Sequence, residues 1–178
     1  MQYRWHAIWG LALLVACGCV SQPQTYAPME DRRPLSVEVK ATLNSYLRMN
    51  DGNASRHFIR DIRYWTEEDT WRWTGQRPTL MLAAPKDRGV RFSADVTVPE
   101  IAFQQTGPVT ITVLFNGHEL GQWRFESAGH RILDMPVPDA WLRRDAENII
   151  EMPIDKTFLV PEDQRPRGFV LTSVGLLG

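Results

Sequence analysis

The chain has 178 residues, 43% hydrophobic and 23% charged, which suffices for one domain with its own core. A formal net charge of −1 provides no basic field to hold a phosphate backbone and argues against nucleic-acid binding. Both cysteines fall before residue 20, so everything after them must fold without disulfides.

The chain opens with the layout of an export signal. Arg4 lies near the start, and an apolar run broken only by Gly10 covers 7–16. A membrane-spanning helix needs ~20 residues, so this run is too short to cross a bilayer and fits the apolar region of a signal peptide, 1–16. Leu14-Val15-Ala16-Cys17 resembles the bacterial lipobox. The resemblance implies cleavage before Cys17, a diacylglyceryl thioether on Cys17 and acylation of the new amino terminus. Ala16-Cys17-Gly18-Cys19 is a second, poorer match that keeps Cys19 as the alternative; pairing the two cysteines would make a strained ring. By the same resemblance, Gly18 stands where Asp is the usual inner-membrane retention signal. That favours an outer-membrane protein facing the periplasm, with the membrane as a partner through the lipid.

Residues 17–34 follow as a flexible tether. The stretch Ser21 to Pro34 is polar, contains three prolines and shows no apolar period. Leu35, Val39, Leu43, Tyr46 and Leu47 then recur at helical spacing, so a short amphipathic helix is expected over 35–50. Pro34 would open it, and Asn50-Asp51-Gly52 would close it.

From residue 57 the apolar period becomes two. Val90, Phe92, Ala94, Val96 and Val98 alternate with polar residues, as do Val109, Ile111, Val113 and Phe115. Each reads as a strand with one buried face. Asn116-Gly117 directly after the second run predicts a tight hairpin, because both central positions need φ > 0. Further runs lie at 59–65, 70–73, 79–83, 131–137, 148–154 and 168–177, with prolines at or near their ends. The expected fold is all-β: an antiparallel two-sheet jelly-roll sandwich over 57–178, preceded by the short N-terminal helix.

The densest aromatic segment runs from Tyr64-Trp65 through Glu67-Glu68-Asp69 to Trp71-Arg72-Trp73. On a strand, Trp71 and Trp73 share one face and Arg72 takes the other. The two indoles fit either a sandwich core or a platform on which sugar rings stack. In the second case Glu67 and Asp69 would accept from sugar hydroxyls. Arg72, on the opposite face, is a candidate ion-pair partner of Asp163, a purely structural role. The acidic run also has the composition of a calcium site or of a solvated turn, and the turn is the commoner use. His118 and His130 lack zinc-ligand spacing, and Ser127 lacks a nucleophile-elbow sequence, so no catalytic residue, metal or cofactor is expected.

Trp71-Arg72-Trp73-Thr74, the Asn116-Gly117 hairpin, Met135-Pro136-Val137-Pro138, the run 157–161, Asp163-Gln164-Arg165 and Gly168 together resemble a β-sandwich module of bacterial envelope proteins and of the ends of some membrane-bound glycosyltransferases. That module is similar to galactose-binding-like and carbohydrate-binding jelly rolls. The resemblance spans roughly 58–178 and departs at Arg167, where Leu would be expected. It implies a setting among envelope glycans. The expectation is therefore a non-catalytic envelope lipoprotein whose sandwich binds glycan through Trp71, Trp73, Glu67 and Asp69. The alternative is a structural or assembly lipoprotein that grips another envelope protein through an edge strand or the N-terminal helix.

Overall fold

The computed structural model describes residues 43–160 and 163–178. The expected signal peptide, Cys17, the tether and the first part of the expected helix lie outside the described residues.

Period-two sequence becomes antiparallel strand. The strands are β1 (Tyr46–Arg48), β2 (Phe58–Ile62), β3 (Arg72–Leu82), β4 (Arg91–Val98), β5 (Val109–Phe115), β6 (His118–Phe125), β7 (Gly129–Pro136), β8 (Asn148–Glu151), β9 (Phe158–Val160), β10 (Asp163–Arg167) and β11 (Val170–Leu177). One α-helix, α1 (Glu100–Thr106), links β4 to β5. One sheet runs β1-β11-β4-β7, all antiparallel. The other runs β2-β3-β8-β5-β6, also antiparallel. The long strand β3 joins them: Arg72 and Trp73 pair with β11, while Thr79 to Leu82 pair with β8. The result is the antiparallel β-sandwich expected from the sequence.

The core lies between the sheets. Phe92, Ala94, Val96 and Val98 of β4 and Val109, Ile111, Val113 and Phe115 of β5 are all buried, as the alternation requires. At ~1.5–3 kcal/mol for each large apolar side chain, this shared interior is the main source of stability. The β5–β6 turn is as read: Asn116 and Gly117 have φ of 50° and 86°. The Asn116 side chain also donates to Trp141 O and to Asn148 Oδ1, and it accepts from the Ile149 amide. A buried polar network thus pins the hairpin tip to the loop before β8.

Four expectations need correction. Residues Tyr46–Arg48, placed in the helix 35–50, form strand β1 on the edge of β11, with Leu47 opposite Val174. Leu47 and Met49 are fully buried while Tyr46 and Arg48 are exposed, a period of two that the helical spacing of Leu43 and Leu47 masked. An unpaired strand edge offers a ladder of hydrogen bonds that outweighs weak helix propensity. The sandwich therefore begins before residue 57. Next, the runs 70–73 and 79–83 belong to one strand, β3. Pro78 interrupts neither its extension nor its burial, and β2 pairs with it through two irregularities of register. In addition, α1 was not foreseen; Pro99 opens it and Gly107, at φ 66°, ends it. Finally, the run 148–154 stops as a strand at Glu151, and only Ile154 makes a further bridge, to Ile111.

Candidate functional site

Strand β3 enters the first sheet through a tight turn. Glu67 bridges Trp71, the Glu67 amide donates to Trp71 O at 2.9 Å, and Glu68 and Asp69 occupy the turn with φ of 50° and 52°. Two adjacent left-handed residues are the signature of a tight β-turn, and Asp69, with its short polar side chain, tolerates that conformation. The acidic run is thus a solvated turn. Among the described residues, no group of three or more His, Cys, Asp or Glu is placed to hold a metal ion.

The two indoles expected as a platform do not form one. Trp71 and Trp73 meet edge to face, with ring centroids 5.2 Å apart and planes at 89°. Trp73 packs against the core, with Phe158 of β9 at its edge and the Arg167 guanidinium of β10 4.8 Å from its ring. Strands β9 and β10 pair antiparallel as a separate two-stranded hairpin, which uses the Trp73 ring, and Trp71 is half-buried against that ring. Trp123 and Trp141 also pack against the core, and His118 stacks on Trp141 at 4.8 Å.

The exposed aromatics lie a few residues earlier. Tyr64 is 72% exposed and Trp65 50% exposed, an unusual cost for large rings in a folded domain. They stand beside an open cleft of about 420 Å³. Asp61 and Ile62 of β2, the following Arg63, Tyr64 and Trp65, Gly75 and Gln76 of β3, and Arg165 and Pro166 of β10 line it. Trp65 is held in place. Its Nε1 donates to Glu67 Oε1 at 3.2 Å, and the Arg63 guanidinium lies 5.1 Å from its ring centre. Glu67 therefore does serve the aromatic cluster, by orienting Trp65, while Asp69 sits at the tip of the turn.

Arginines organise this end of the sandwich. Arg72 is buried on the face opposite Trp71 and Trp73, but it does not reach Asp163. Its Nε donates to Met49 O at 2.6 Å and its Nη1 to the carbonyls of Arg63 and Tyr64. It holds the backbone from which Tyr64 and Trp65 project. Burial pushes its guanidinium below the usual arginine range. Asp163 instead takes Arg63 Nη2 at 2.6 Å and Arg167 Nη2 at 3.4 Å. Burial alone would raise the Asp163 carboxyl. The Arg165 amide and the Arg63 and Arg167 guanidiniums outweigh that and hold it below the usual carboxylate range. This ion pair ties the cleft wall at Arg63 to the β9–β10 hairpin.

Gly168, the last residue of the sequence resemblance, also acts here. A side chain there would collide with Gly75 O, so glycine lets the chain cross β3 closely between β10 and β11. Its amide donates to Thr74 O at 2.9 Å.

Trp73 is thus packed against the core, Trp71 is half-buried, and Tyr64 and Trp65 of the same segment are exposed. Tyr64 and Trp65 precede the acidic turn; the expected run 59–65 ends as a strand at Ile62, which leaves both rings in the connection. Arg63 and Arg165 are 102 residues apart in sequence, and nothing local marks their meeting.

No protein-family model matches the chain, and no curated protein matches it in sequence. Among solved structures it is similar to a CBM35 from Cellvibrio japonicus Abf62, with a TM-score of 0.41, 12% identity, and 75% of this chain covering 94% of that one. It is also similar to a Podospora anserina GH26-CBM35 β-(1,4)-mannanase (TM-score 0.38, 9% identity, 77% of this chain covered) and to the ANX2 ectodomain of Arabidopsis thaliana (TM-score 0.33, 12% identity, 76% covered). The chain spans only 28% and 40% of those last two proteins.

Proposed function

We propose that this chain is a non-catalytic, lipid-anchored cell-envelope protein whose β-sandwich binds glycan in the cleft beside Tyr64 and Trp65. One observation carries the reading: two large aromatic rings are left in solvent at the rim of a cleft lined by Asp61, Arg63, Gln76 and Arg165. Sugar rings present apolar C–H faces to aromatic platforms and hydroxyls to carboxylate, amide and guanidinium groups, and this cleft offers both kinds of contact. The lipobox resemblance at Cys17 supports a tether to the outer membrane, where envelope glycans are the nearest abundant ligand.

The test is a titration of the protein with peptidoglycan fragments and exopolysaccharides, followed by Trp fluorescence. Binding of about −4 to −8 kcal/mol, millimolar to micromolar, without cleavage of the glycan is the expected result. Cleavage would contradict the non-catalytic reading, and the acids beside the cleft, Asp61 and Glu67, would be the first to replace. The second reading, capture of an envelope protein through an edge strand, has one observation in its favour: β7 closes one sheet with Ile132 61% exposed.

A further inference from the structure

The charges around the cleft are unequal in what they have left to offer. Among the described residues, Asp163 is the carboxylate that Arg63, Arg165 and Arg167 share. Its Oδ2 is taken by Arg63 and Arg167, and its Oδ1 accepts the Arg165 backbone amide at 3.1 Å. The Arg165 guanidinium is left 4.0 Å from that oxygen, with its side chain 72% exposed on the cleft wall. The nearby acids each hold one protein donor. Asp61 Oδ2 accepts the Arg77 amide at 2.8 Å, and Glu67 accepts the Trp65 indole. Two guanidiniums, Arg63 and Arg165, thus line the cleft against one carboxylate, Asp61. Arg63, which contacts both Trp65 and Asp163, stands where a substituent of a ring lying near Trp65 would meet it.

We propose that the cleft selects a glycan bearing carboxylate groups, with the aromatic pair taking the sugar ring and Arg165, backed by Arg63, taking the carboxylate. This rests on the glycan reading above and narrows its ligand class. A guanidinium presents a planar fork of N–H donors that matches a carboxylate in two parallel hydrogen bonds, and charge assistance makes such bonds about twice as strong as neutral ones. A neutral sugar would leave the Arg165 fork facing hydroxyls alone. The contact lies at an exposed cleft mouth, so part of the preference is screened by salt.

The experiment compares a hexuronate oligosaccharide with its carboxyl-reduced counterpart, in which each carboxylate becomes a hydroxymethyl group and the rings are unchanged. Both are titrated calorimetrically into the protein at low and high salt. The acidic form is expected to bind about tenfold tighter or more, the least a charge-assisted hydrogen bond contributes. Its advantage should shrink as salt rises. Arg165→Gln, at an exposed side chain with a single long ion pair, should leave the melting temperature unchanged and bring the two forms to within about threefold. Equal affinity of the two forms would overturn the acidic preference and leave glycan binding standing. An acidic preference that survives Arg165→Gln would overturn the assignment to this cleft. Failure of both forms to bind would overturn this proposal together with the glycan reading.

Discussion

Trp65 and Trp73 belong to one aromatic cluster, yet they are predicted to respond oppositely to truncation. Trp73 is packed against the core and flanked by Phe158 and Arg167, so Trp73→Ala should cost roughly 3 kcal/mol in urea unfolding, the low end for a partly buried indole. Trp65 keeps half its surface in water, and Trp65→Ala should stay within about 1 kcal/mol of the parent. Equal losses at the two positions would contradict the distinction. Asp163 makes a pH-dependent prediction. Its folded carboxyl sits below the usual value of about 3.9, so its ion pair contributes stability above that value, and the contribution is lost as pH falls through the lower folded value. Asp163→Asn should therefore be less stable than the parent at neutral pH, and the gap should close in strong acid. A gap that widens on acidification would have the wrong sign.

At the scale of elements, the aromatic loop owes its shape to a strand residue. Arg72 of β3 donates to Met49 O, Arg63 O and Tyr64 O, binding the end of β1 and the Tyr64–Trp65 backbone to one buried side chain. Arg72→Met fills similar volume but leaves these carbonyls without their donor, at about 1–3 kcal/mol for each buried group. The variant should lose roughly 2–4 kcal/mol, and exchange of the Arg63 amide, bonded to Trp73 O at 3.0 Å, should accelerate. Unchanged exchange at Arg63 would show that the loop is held by other means. Little of this was legible in sequence. The alternation around Arg72 placed it opposite the two indoles, but its partners come from turns that periodicity does not describe. Strand β1 was misread for a related reason. Four residues of alternation are too short to outvote a helical spacing until the free edge of β11 is known.

For the whole molecule, the sandwich was legible where two conditions met: a long alternation and a turn of defined chemistry. Strand β5 with its Asn116-Gly117 turn meets both and β4 meets the first, and the inward residues of both strands are buried as expected. Val113→Asp should consequently unfold the domain, since it places a charge at a position with no solvent exposure. A folded variant by circular dichroism would contradict that placement. The passage of β3 from one sheet to the other, and the meeting of Arg63 with the β9–β10 hairpin, depend on long-range pairing and were not legible. At the other end of the chain, Cys17→Ser should abolish acyl labelling of the cellular protein, and labelling that persists through Cys19 would contradict the choice of cysteine. The measurement that bears most directly on the central claim is the set of Trp indole N–H signals in a two-dimensional NMR spectrum, with Trp65 assigned by Trp65→Phe, recorded as glycan is added. The Trp65 signal is expected to shift with saturation while those of Trp73, Trp123 and Trp141 stay nearly in place. Shifts confined to those three, or a Trp65 signal unmoved by glycan that binds, would contradict it.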